Sequence, residues 1–242
     1  IVVGSNIATI ALVMGVCILW FGRVPTKIHQ SKHDLTSFLL CAALLVLISI
    51  DTRISRAECG ILGFFFILYI GFRLSELAKT HTASLKSDIS FGNILLILFW
   101  FVILSLSSYY LVILVKELAL LMSHVNSDGT PNLSLLGLTL ISIATAIPET
   151  VSGFFALKRK HYDLFYGNLF SSLTFNSLLV PAVSGLILPM KVTPQVLLVG
   201  FPTFILLGGL FYLFIRDKEE MTRFEATGLF VAYALFVLYI LV

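Results

Sequence analysis

A chain of 242 residues that is 58% hydrophobic and only 12% charged, with mean hydropathy +1.02, has too little polar sequence to wet a soluble domain. Its net charge of +3 forms no basic stripe with interleaved aromatics, which excludes a nucleic-acid surface, and Cys17, Cys41 and Cys59 sit in or beside apolar runs at no metal-ligand spacing. The composition is that of an all-α polytopic membrane protein whose partner is the lipid bilayer.

The chain opens at Ile1 in mid-pattern, with neither Met nor a charged leader, so a natural beginning upstream is expected. Eight apolar segments follow, over residues 1–21, 35–50, 57–77, 91–121, 133–157, 164–188, 195–215 and 225–242. The second is short, and the fourth is long enough to tilt or to continue as an interfacial turn. Connections are short and leave no room for a soluble inserted domain. Alternate loops carry twelve Lys and Arg, from Arg23 to Arg223, against four, Arg53, Arg56, Lys116 and Lys191. By the positive-inside rule the richer loops are cytoplasmic and both ends of the chain lie outside a cell membrane.

An offset of 167 residues aligns Ser5 with Ser172, Leu12 with Leu179, Val16 with Val183, and Ser55-Arg56-Ala57-Glu58 with Thr222-Arg223-Phe224-Glu225. The offset spans five segments, an odd number, so the copies face opposite ways. Inverted repeats build secondary transporters, with the substrate site near mid-membrane. If the repeat holds, the first copy starts roughly seventy-five residues before Ile1, and the mate of Glu149 falls about twenty residues upstream of it. The halves are then residues 1–90 and 91–242.

Glu149 in a membrane span costs several kcal/mol and asks for a function. Pro148, beside it, cannot donate to the Ala144 carbonyl, so the helix is expected to break there and free carbonyl oxygens. Thr145 lies one turn before Glu149; Ser172 and Asn176, and Ser5 and Thr9, repeat that spacing. Three helices each offering an oxygen pair suit a hard cation. Asn168 reads as either a helix cap or a site residue, and Glu58 and Glu225 as interfacial anchors. No paired nucleophile and base stands mid-span, so an enzyme is not expected.

Gly137-Leu138-Thr139, Thr145-Ala-Ile-Pro-Glu149, Gly167-Asn168 and Ser172-Leu-Thr-Phe-Asn176 resemble the second signature repeat of the cation/calcium exchanger superfamily, and Val3-Gly4-Ser5-Asn6-Ile7-Ala8-Thr9 the end of its first. The resemblance implies the inverted-repeat sodium/calcium exchanger fold of ten helices, of which this chain supplies eight, and a pair of sliding helices to which the long fourth segment belongs. It implies that Glu149 is the main carboxylate ligand, with Thr145, Ser172, Asn176, Ser5 and Thr9 completing the site. Ala146 departs from the pattern by losing a hydroxyl, Thr9 stands for a usual Asn, Leu173 for a frequent Asn, and Asn176 is Asp in some members.

The expected activity is secondary antiport of Ca2+ against Na+ or H+ by alternating access, with protons competing for Glu149. No prosthetic group is expected; the cations are transported ligands. One visible carboxylate alone favours Na+ or H+, whereas a second, from the upstream segment, would balance Ca2+. Exchange of Na+ or K+ for H+, and a degenerate member that transports nothing, stay open, as does the oligomeric state.

Overall fold

The computed structural model describes residues 1–26, 29–80, 91–121, 133–217 and 220–241. The first segment is composite: α1 (Val2–Ala8), a π-helical turn (Thr9–Val13) and α2 (Met14–Phe21). Strand β1 (Arg23–Pro25) leads to α3 (His29–Ile48), and β2 (Arg53–Ile54) to α4 (Arg56–Thr80). The long fourth segment is α5 (Phe91–Leu121). The fifth is split into α6 (Leu133–Leu138) and α7 (Leu140–Lys158), and the sixth is α8 (Tyr162–Ile187). Then come β3 (Met190–Lys191), a second π-helical turn (Val196–Gly200), α9 (Phe201–Asp217), β4 (Glu220–Thr222) and α10 (Arg223–Leu241).

Every expected segment is therefore helical among the described residues. Six are long and apolar enough to cross a membrane, and Asp34–Ile48 and Phe91–Ser107 are shorter apolar stretches. Lipid offers backbone groups no hydrogen bonds, so such sequence must satisfy them within each helix. The half boundary at 90/91, and Lys27, Lys86 and Lys218 of the charge tally, lie outside the described residues.

Two compact units are present, Ile1–Tyr69 with Gly137–Val242, and Ile70–Leu136. In the larger, the first segment is central: 78% of its apolar window is buried, against 28% for Arg223–Ile240. Its neighbours turn Leu, Ile and Phe outward, as a lipid-facing surface requires.

The internal repeat is visible in local chemistry. Glu58 Oε2 accepts bonds from the N–H and hydroxyl of Ser55, both at 2.7 Å; 167 residues on, Glu225 Oε2 accepts from the N–H of Thr222 at 2.8 Å and from its hydroxyl. Ser55 and Glu58 form the full capping box, with the Glu58 N–H returning a bond to Ser55 Oγ at 3.3 Å, and Thr222 with Glu225 repeats its carboxylate half, so these glutamates act as caps at the start of each helix. Strand β1 pairs antiparallel with β4, placing Arg23 opposite Thr222, and β2 with β3, placing Arg53 opposite Lys191. The same shift carries β1 onto β3 and β2 onto β4, so each ribbon is the image of the other. It also relates two close packings: a Cβ on Gly15 would lie 3.3 Å from Phe230 Cβ, and one on Gly63 would lie 3.6 Å from the Ala182 methyl. Each ribbon joins loops that the charge tally assigns to one side.

Helices α7 and α8 meet in a tight hinge. Lys160 is left-handed (φ 58°), its N–H donates to Leu157 O at 2.9 Å, and the His161 N–H donates to Ala156 O at 2.9 Å. This is the Schellman closure, built here on Lys where Gly is usual.

Candidate cation site

The fifth segment breaks at Thr139, whose φ of −114° and ψ of −90° leave the helical region, and not at Pro148, which lies inside a continuous α7. Proline removes one donor and one helical bond, a loss a membrane helix tolerates when the flanking bonds persist. The break frees the Gly137 carbonyl, which accepts a hydrogen bond from Ser142 Oγ. Gly4 of α1 crosses here. A Cβ on it would overlap Ser142 Oγ and lie 2.8 Å from Leu138 Cα and 2.9 Å from Gly137 O, so only glycine allows the approach.

That approach sets the next residue, Ser5, against α7 and α8. Ser5 Oγ and Thr145 Oγ1 are 3.0 Å apart, and Asn176 Nδ2 donates to Ser5 Oγ at 3.3 Å. Thr145 spends its single proton on the Ser142 carbonyl at 3.0 Å, so Ser5 must be the donor to Thr145. The chain of bonds is directional, from Asn176 through Ser5 and Thr145 to backbone. One turn along both helices, Ser172 Oγ donates to Glu149 Oε1 at 3.0 Å. Five of the six expected ligands thus form two rungs, Asn176–Ser5–Thr145 and Ser172–Glu149, about 6 Å apart by helical rise.

The sixth, Thr9, is fully buried in the π-helical turn, and its Oγ1 has no hydrogen-bond partner. Glu149 Oε2 is likewise buried without a partner. Asn168 does not cap α8, whose N-cap is His161. Instead its Nδ2 donates to Ser152 Oγ at 2.8 Å, and Ser152 Oγ donates to the Glu149 carbonyl at 3.0 Å.

One polar pair was not foreseen. Asn6 Nδ2 donates to Ser177 Oγ at 2.8 Å, both residues fully buried, directly behind the Ser5–Asn176 contact. The two pairs join consecutive residues, a relation that becomes readable only once the Ser5–Asn176 contact between helices is known. Among the described residues no three His, Cys, Asp or Glu side chains gather. A cation here would be held by one carboxylate with an unpaired oxygen and by neutral hydroxyl and amide oxygens, the hard-ligand set of Ca2+ or an alkali ion.

The profile of the family described as sodium/calcium exchanger protein matches residues 1–75 and 92–242. Sodium/calcium exchanger MaX1 of Methanosarcina acetivorans is 29% identical over 108 residues, 45% of this chain and 31% of that protein. Inner membrane protein YrbG of Escherichia coli is 25% identical over 204 residues, 79% of this chain and 60% of its own length. The matches therefore span between about a third and three fifths of these relatives. A structure of the sodium-calcium exchanger NCX_Mj, soaked with Na+ and Sr2+, superposes with TM-score 0.68 at 20% identity, covering 98% of this chain and 74% of the other, which shows the fold. With its profile matched along nearly the whole chain, this multi-pass membrane protein belongs to the sodium/calcium exchanger family.

Proposed function

We propose that the protein is a secondary antiporter that exchanges Ca2+ for Na+ or H+ by alternating access, in a cell membrane with both ends of this chain outside. Its two inverted halves, residues 1–90 and 91–242, enclose the substrate ion between signature regions. The observation that carries this reading is the pair of oxygen rungs, with Glu149 Oε2 buried and unpartnered beside Ser172. A carboxylate kept at that depth costs several kcal/mol unless a cation or proton compensates it. Glu149, Thr145, Ser172, Asn176, Ser5 and Thr9 supply the ligands.

The test is Ca2+ uptake by proteoliposomes carrying the complete protein, under an imposed Na+ or H+ gradient. Gradient-driven uptake in the wild type and none in Glu149→Gln is the expected result, and the effective gradient names the counter-ion. Uptake that persists in Glu149→Gln would remove that residue from the site.

A second reading, exchange of Na+ or K+ for H+, is supported by the charge count. Glu149 is the one carboxylate among the six residues, and Thr9 and Asn176 are neutral. Flux of a monovalent ion that Ca2+ does not compete with would favour it.

A further inference from the structure

At the ribbon of β1 and β4, helix α2 ends and helix α10 begins, and between them lies an open depression of about 600 Å3. Arg23 and Arg223 line it, together with Phe21 and Phe224. Strand register makes this convergence: Arg23 sits opposite Thr222, next to Arg223. Gly22 makes the floor. Its φ of +89° lets the chain leave α2, and a Cβ there would lie 3.4 Å from Arg223 Nε and 3.5 Å from its Nη2. The guanidinium thus rests on bare backbone, in a place that any side chain at position 22 would disturb.

Depth in the bilayer follows from the helices. Both α2 and α10 close apolar spans at this depression. Phe224 lines it and is 86% exposed, and Trp20, one residue before Phe21 with its ring edge-on to Phe154 of α7, is 70% exposed, as tryptophans at a membrane interface are. No carboxylate lines it among the described residues. Among the described residues Arg23 pairs with Glu220, 3.9 Å away with both side chains well exposed, a contact too long and too wet to hold the guanidinium.

We propose that Arg23 and Arg223 bind the phosphate of an anionic glycerophospholipid, whose acyl chains run along Trp20, Phe224 and the outer faces of α2 and α10. Two guanidinium forks offer the planar, charge-assisted donors that phosphate oxygens match. The exposed aromatics and flanking apolar helices select a phosphate that carries hydrocarbon over one free in water. The site is independent of which cations are exchanged.

Native mass spectrometry of the complete protein in detergent, with equal phosphatidylglycerol and phosphatidylcholine, tests this. Wild type should retain phosphatidylglycerol in preference, and Arg23→Gln/Arg223→Gln should reduce that retention about tenfold. Arg53→Gln/Arg56→Gln, which removes the same charge from the opposite ribbon, should leave it unchanged. Should the double variant fail to fold, Arg23→Gln alone decides the matter, because that side chain is 79% exposed and holds no core. Equal retention of both lipids, undiminished retention in the arginine variants, or an equal loss in the Arg53/Arg56 control would overturn the proposal. Displacement of phosphatidylglycerol by millimolar inorganic phosphate would overturn the lipid assignment in favour of a free anion.

Discussion

Asn176 is the residue at which charge and geometry can be separated. Its amide donates to Ser5 Oγ at 3.3 Å and so starts the bond chain that ends on the Ser142 carbonyl. Aspartate cannot donate; Ser5 would turn its proton to the new carboxylate and release Thr145. The oxygen set would keep its positions but gain a negative charge close to Glu149. A divalent ion profits from that charge more than a monovalent one. Asn176→Asp should therefore lower the Ca2+ concentration for half-maximal uptake by about tenfold. Uptake titrations in proteoliposomes check this, and an unchanged or higher half-point would mean that Asn176 does not face the ion. The residues of both rungs were legible because oxygen-bearing side chains four apart on an apolar helix share a face. Asn6 and Ser177 were not, since spacing within one helix does not reveal a bond between two. Nor was the unpartnered state of Thr9, which sits in a π-helical turn that hydrophobic periodicity does not register.

Elements start and stop here by chemistry that is only partly written in apolar runs. The eight segments followed from length and hydropathy, yet the break at Thr139 did not, because Pro148 gives the louder signal. What decides between them is compensation: Ser142 takes up the Gly137 carbonyl at the break, and Gly4 lets α1 close on it. The paired caps can be read in the sequence once the repeat is found, since Ser55 with Glu58 and Thr222 with Glu225 share the capping-box spacing. Their equivalence makes a quantitative prediction. Ser55→Ala and Thr222→Ala each remove the cap hydroxyl from the same motif, so each should cost about 1 kcal/mol. Thermal unfolding in one detergent should show similar downward shifts for the two variants. A shift confined to one of them would mean that the two caps are not energetically equivalent, whatever their sequence match.

At the scale of the molecule, the ribbons fix which loops share a face. Helix α3 runs between β1 and β2, and its apolar stretch, Asp34–Ile48, covers about 22 Å, short of a full hydrocarbon core, with the polar turns from His29 preceding it. The inverted repeat predicts that the β1–β4 ribbon and the β2–β3 ribbon stand on opposite sides of the bilayer. The charge tally puts the first with the richer loops, which belong in the cytoplasm by the positive-inside rule. With Cys17, Cys41 and Cys59 replaced by alanine, single cysteines at Arg53 or Lys191 should react with an impermeant maleimide added outside intact cells. Cysteines at Arg23 or Glu220 should react only after the membrane is opened. All four positions are exposed, so a lack of labelling before opening reports side and not burial. Labelling of all four from one side would break the inverted arrangement itself. The reverse pattern would keep that arrangement and invert the chain, placing the Arg23–Arg223 depression in the outer leaflet.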